Sequence, residues 1–203
     1  MTRQTWALFV LTETVLCLTP GPAVLFVVSE ALSRGRRASI GAAVGILGAN
    51  VAYFALSATG LGALLLASYE AFSLVRWLGA GYLIWLGVRA FIGGTAPRSA
   101  GAAHDGAAHR SWVSGFVLQA ANPKALLFFV ALLPQFIDPA GSIATQVMVL
   151  GTTSVVIELV VLLAYGAVAG RCHALPLNPR YARLADRAAG TMLVTAGIAA
   201  TRA

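Results

Sequence analysis

Thr19-Pro20-Gly21-Pro22 lies inside an apolar run that begins at Trp6 and continues through Val28. Two prolines flanking a glycine cannot continue an α-helix. Each proline lacks the N–H that the helix needs, and its ring clashes with the carbonyl four residues back. In a segment long enough to span a bilayer, this means a broken transmembrane helix with unpaired backbone groups at membrane depth. Such groups are tolerated only where protein or a water-filled cavity surrounds them. Discontinuous helices of this kind are where transporters tend to build their substrate sites.

A second break, Asn122-Pro123-Lys124, interrupts the apolar run from Trp112 to Ile137. Pro20 and Pro123 are 103 positions apart, as are Phe26 and Phe129, Val27 and Val130, and Gly48 and Gly151. Further along the offset becomes 110, pairing Leu83 with Leu193 and Gly87 with Gly197. Each match is weak alone, because glycine and leucine are common in this chain. Their collinear order points to a duplication of roughly half the chain.

Composition sets the class. Of the residues, 59% are hydrophobic and 10% charged, where soluble proteins average about 25% charged. The mean hydropathy is +0.82. The chain reads as an integral membrane protein, with room for about five to seven spans of about 20 residues and no separate soluble domain. The net charge of +7 does not point to nucleic acid, because the arginines collect between the apolar runs. Arg34, Arg36 and Arg37 are placed to meet anionic lipid. Two cysteines, Cys17 and Cys172, make no disulfide framework. The N-terminus lacks a small-x-small cleavage site and Glu13 interrupts its apolar run, so it reads as a retained first span.

Six spans are expected, at about 5–31, 40–68, 72–93, 112–137, 143–169 and 184–202. Basic residues concentrate in the first loop (Arg34, Arg36, Arg37), the third (Arg89, Arg98, Arg110) and the fifth (Arg171, Arg180, Arg183, Arg187). The other side has Arg3, Arg76 and Arg202. The positive-inside rule then puts those three loops in the cytoplasm and both termini outside. Three spans per half is an odd number, so the second half enters the membrane from the opposite side. The expected architecture is an all-α membrane protein: two inverted three-helix repeats, residues 1–93 and 112–203, whose broken first and fourth helices meet near the midplane. A Gly- and Ala-rich cytoplasmic linker, 94–111, joins them. His104 and His109 in it read as solvated loop residues, and no metal site or cofactor is expected.

Polar residues at membrane depth supply the candidates. Gly41, Gly45, Gly48 and Ala52 share one face of the second span and read as a close helix-packing seam. Another face carries Asn50, Tyr53 and Ser57, lining a cavity or bonding to neighbouring helices. In the fifth span Gly151, Ser154, Glu158, Leu162 and Tyr165 share a face. A carboxylate at the depth of Glu158 costs at least about 2.5 kcal/mol on insertion scales unless it is protonated, paired or wetted. Lys124 follows the second break directly. Together they form either a structural ion pair or a polar centre for a zwitterion. Glu13 lies nearer the outer surface, one turn from Cys17, and is expected to reach the headgroups, the alternative being a proton relay. Tyr82 and Trp85 in the third span read as packing residues, with Tyr82 kept among the candidates. The substrate-binding set is Pro20, Gly21, Pro22, Asn50, Tyr53, Tyr82, Asn122, Pro123, Lys124 and Glu158, and no catalytic residue is assigned.

With these motifs in hand, the chain resembles the lysine exporter (LysE) family, in its homoserine/threonine resistance branch. The resemblance rests on Thr19-Pro20-Gly21-Pro22, the run from Trp77 through Tyr82 to Gly87, Asn122-Pro123-Lys124, Leu133-Pro134-Gln135-Phe136, and Leu150-Gly151 through Glu158. It implies a bacterial inner-membrane transporter, not an enzyme, that exports a small amino acid or derivative in exchange for protons. Glu158 falls where that branch carries an acidic residue. Glu13 is outside the pattern. On this reading Lys124 faces the substrate carboxylate, and Glu158 meets the ammonium group or carries the proton. Oligomeric state is left open, a homo-oligomer included. Two other classes compete. A transmembrane thiol–disulfide carrier needs two facing cysteines, and the repeat mate of Cys17 is Ala120. A metal-ion exporter wants more carboxylates or histidines at depth.

Overall fold

The computed structural model describes residues 1–58 and 105–173, together with helical positions Trp77, Gly81, Ile84, Trp85, Val88, Thr191, Val194 and Ile198. Tyr82, His104 and most of the expected third and sixth spans lie outside the described residues. What is described is helix and turn without strand: α1 (Arg3–Leu18), α2 (Pro22–Arg34), α3 (Arg36–Ala58), α4 (Asp105–Ala120), α5 (Pro123–Leu127) and α6 (Ile143–His173).

Both breaks form where the prolines demand them. Thr19 and Asn122, each followed by proline, adopt nearly one conformation, φ −73°, ψ 115° and φ −74°, ψ 115°. A proline ring forces its predecessor out of the helical region, which accounts for both. Pro22 and Pro123 then open α2 and α5 at the first helical position, where a missing N–H costs nothing. The α1–α2 pair bends by 49° at its break and meets the length and hydropathy of one interrupted span. Arg36–Ala58 and Ile143–Arg171 are each long and apolar enough to cross a bilayer unaided. Beyond α5 the helix loosens into a π turn, Phe128–Leu132, and tightens into a 3-10 turn, Leu133–Phe136. Pro134 is the cause. It has no N–H to give and crowds the carbonyl four residues back, so the ladder shifts and Leu133 N–H reaches Phe128 O instead.

One expectation needs correction. Residues 105–111 were assigned to the linker, yet they form the first two turns of α4. The small side chains that look like linker composition are what lets α4 lie against α3. A Cβ at Gly41 would meet the Ala108 backbone, one at Gly45 the backbone of Trp112 and Phe116, and one at Gly115 the backbone of Ala42. Lipid tails are as apolar as leucine, so helices in a bilayer are held by such close packing rather than by exclusion from water. The glycine face of the second span is thus the seam the spacing indicates. We expect Gly45→Val to destabilise the fold by about 1–3 kcal/mol or more, since backbone on a rigid helix cannot yield. Gly48→Ala, whose Cβ would rest 3.5 Å from the Phe116 ring, should be tolerated. Thermal unfolding of the detergent-solubilised variants separates the two.

The core has two clusters. One gathers Val24, Phe26, Val27, Ile46, Leu118 and Leu162 from α2, α3, α4 and α6. The other gathers Phe9, Phe54, Phe129, Leu133 and Leu150, with Phe9 edge-on to Phe136 at 5.2 Å and Phe54 edge-on to Phe129 at 4.8 Å. The outward faces are apolar instead of charged: Leu8, Leu11 and Val15 on α1, Val44 and Val51 on α3, Met148, Val156 and Val160 on α6. An apolar surface this continuous is a membrane-facing one. At one end the Met1 amine lies 4.0 Å from the Asp138 carboxylate. At the other, Ser111 and Arg34 both donate to buried Glu30. The N-terminus and the fourth loop therefore share one end, and the first loop and the start of α4 the opposite one.

Candidate functional site

Breaking a helix at membrane depth leaves the last carbonyls of its first half without partners. At the first break, the Lys124 ammonium reaches across from α5 to donate to Leu16 O and, at 3.0 Å, to Thr19 O. Tyr165 of α6 donates its hydroxyl to Leu18 O at 3.0 Å. At the second break, Tyr53 of α3 donates to Ala120 O at 2.5 Å. The two interruptions meet: a Cβ at Gly21 would lie 3.5 Å from the Lys124 stem, so glycine there makes room for the lysine. The Lys124 side chain is spent on backbone carbonyls, and no ion pair with Glu158 is formed. Of the two alternatives for Lys124 and Glu158, the structural ion pair is the one not formed.

Glu158 is held otherwise. It is only 9% exposed and accepts from Asn50 Nδ2. Asn50 in turn accepts from Gln119 Nε2 at 2.8 Å, Gln119 from Asn122 Nδ2 at 2.9 Å, and Asn122 from the Lys124 backbone N–H at 3.1 Å. Each amide donates toward the carboxylate, and all three are buried. An ionised carboxylate only accepts, so it orients every amide behind it. The run ties α6, α3, α4 and the cap of α5 into one polar unit. Low dielectric makes such a unit rigid when satisfied throughout.

Glu13 departs from expectation. It is 5% exposed and turned inward, accepting from Ser154 Oγ at 2.5 Å and from the Cys17 thiol at 3.7 Å. It does not reach the headgroups. This face of α1 looks onto α6, where Ser154 sits one turn before Glu158.

These groups surround one cavity of about 60 Å³, room for roughly four waters. It lies between the two core clusters, with Val24 and Leu162 on one side and Phe128 and Phe129 on the other. Of the candidates, Gly21, Asn50, Asn122, Lys124 and Glu158 line it. Pro20, Pro22 and Pro123 shape the breaks without lining it. Tyr53 stacks on Phe129 at 4.9 Å and caps α4, while Ser57 turns back to its own helix, donating to Tyr53 O. The Asn50–Tyr53–Ser57 stripe therefore splits, and only Asn50 serves the cavity. Tyr82 lies outside the described residues. Sequence reading missed Gln119 and Cys17 as cavity residues, and held Glu13 only as the alternative proton relay. Gln119 had a signal, an amide one turn before Asn122 in an apolar run.

The LysE type translocator family model matches residues 14–202 of the chain. The chain is 32% identical to an uncharacterized membrane protein of Vibrio cholerae, over 98% of this chain and 97% of that protein. It is 31% identical to a homoserine/homoserine lactone efflux protein of Salmonella typhimurium, over 97% of this chain and 96% of the relative. It is also 35% identical to a leucine efflux protein of an Enterobacter species, over 67% and 65%. No solved structure matches the chain.

Proposed function

Since the chain belongs to the LysE type translocator family, we propose that it exports a small amino acid or amino-acid derivative from the bacterial cytoplasm in exchange for entering protons. The observation that carries this is the meeting of two helix breaks at one cavity, whose mixed lining includes Lys124, Glu13 and Glu158. Support for the substrate class comes from the homoserine/homoserine lactone and leucine efflux relatives. The transporter would sit in the inner membrane as two inverted repeats with both termini outside. The collinear matches at offsets of 103 and 110 positions support that arrangement.

On this reading Gly21, Ala23 and Val24 at the start of α2 form one wall of the substrate path. Glu158, fixed by the amide run, takes the substrate ammonium or the coupled proton. The cavity is well below the 300 Å³ or so of a small-molecule pocket, so the half-helices must part to admit substrate. The energetics suffice. Each tenfold accumulation outside costs about 1.4 kcal/mol, and one charge moving down 100 mV supplies about 2.3 kcal/mol. One proton per zwitterion then sustains a gradient of tens-fold.

Inside-out vesicles carrying the protein should accumulate at least one compound from a panel of labelled amino acids and homoserine lactone, and an uncoupler should collapse that uptake. Uptake indifferent to the uncoupler would remove proton coupling. A panel with no substrate would remove the amino-acid reading.

A further inference from the structure

We infer that Glu13 sets substrate charge, making the cavity select α-amino compounds whose carboxylate is masked as an amide, ester or lactone over the parent zwitterions. The inference rests on the transport reading above and goes further, to the charge class of what is carried.

Two buried carboxylates line the cavity, and each uses one oxygen. Glu13 Oε1 accepts from both Ser154 and Cys17, and Glu158 Oε2 accepts from Asn50. Glu13 Oε2 and Glu158 Oε1 have no hydrogen-bond partner among the described residues, and neither carboxylate lies within ion-pair distance of a basic side chain there. A substrate ammonium brings three N–H donors and no acceptor, which suits two such oxygens.

The substrate's other end is served worse. Lys124 is the basic side chain of the lining, and its ammonium is already committed to Leu16 O and Thr19 O. To meet a substrate carboxylate it would have to leave Thr19 O, and leave Leu16 O to the Thr19 backbone N–H alone. That carboxylate would also enter a cavity lined by two acids against one lysine, and when both acids are ionised a third like charge in a poorly solvated site is repelled strongly. Masking it removes the repulsion and keeps the ammonium contact. Specificity then arises chiefly from what the site rejects. Glu158 alone would balance Lys124. Glu13 tips the cavity acidic.

The test is flux in proteoliposomes for two matched pairs, threonine with threoninamide and leucine with leucinamide, each corrected for leak through protein-free liposomes. The parent protein should carry the amide at least about tenfold faster than the acid at subsaturating concentration. Glu13→Gln should bring the ratio to near one, the amide losing more flux than the acid. Glu13→Ser, which is smaller and still hydrogen-bonds, is the second neutral variant and should do the same. A parent ratio of one or below overturns the inference. So does an unchanged ratio in either neutral variant that folds, including the case where gradient-driven flux is lost, which would make Glu13 the proton carrier. If neither acids nor amides move, the transport reading itself fails.

Discussion

Glu158→Gln is expected to abolish net, gradient-driven export while leaving substrate-for-substrate exchange measurable in proteoliposomes. The carboxamide has nearly the size of the carboxylate and still offers an oxygen to Asn50 Nδ2, so the run through Gln119 and Asn122 keeps its direction. What is lost is a proton that can be taken up and released. Accumulation in energised vesicles should fall from tens-fold to less than about twofold, since nothing then links the membrane potential to the substrate. Exchange needs only binding and the conformational step, and should persist. A variant that still builds a pH-dependent gradient like the parent would make Glu158 structural and pass the carrier role to Glu13.

Lys124→Met should be the more damaging change. It leaves Thr19 O without its lysine donor, and Leu16 O with the Thr19 backbone N–H alone, at the point where α1 has already lost its helical continuation. A charged hydrogen bond contributes about 1.5–3 kcal/mol, and each kcal/mol moves the midpoint of a chain this size by about 2–4 °C. Thermal midpoints in detergent should therefore fall by about 3–12 °C, with transport reduced roughly a hundredfold because the break no longer holds its shape. Lys124→Arg keeps the charge but has a longer stem and a planar fork, and should recover part of both. A methionine variant with parent-like melting and flux would show that the carbonyls are satisfied in some other way.

Much of this architecture was legible in the sequence, because its decisive features are backbone constraints. Proline dictates its own ring geometry and that of its predecessor, so Thr19 and Asn122 were fixed by their neighbours alone. The glycine face of α3 followed from spacing. The site was less legible, since contacts depend on helix rotation and bend. Glu13 looked superficial by position, yet its side chain packs inward against Ser154 and Cys17. Lys124 and Glu158 looked like natural partners because their charges are opposite. The orphan carbonyls that outcompete Glu158 belong to no side chain and leave no mark in the sequence. Asp105 to Ser111 misled for a related reason, since small residues suit a loop and a tight helix seam equally well.

The seam of Gly41, Gly45 and Gly115 has a kinematic consequence. Backbone seated against backbone at three successive notches cannot slip by a fraction of a turn. The next matching register lies a full turn away, about 5.4 Å along the axis. In any alternating-access cycle α3 and α4 must therefore travel as one body. The displacement falls to the pieces without such notches. These are α2, joined to α3 through the single residue Gly35 with φ 82°, and the stretch after α5, where π and 3-10 turns replace the regular ladder. On the transport reading, the stroke would belong to the half-helices, with the glycine seam as the frame against which they move.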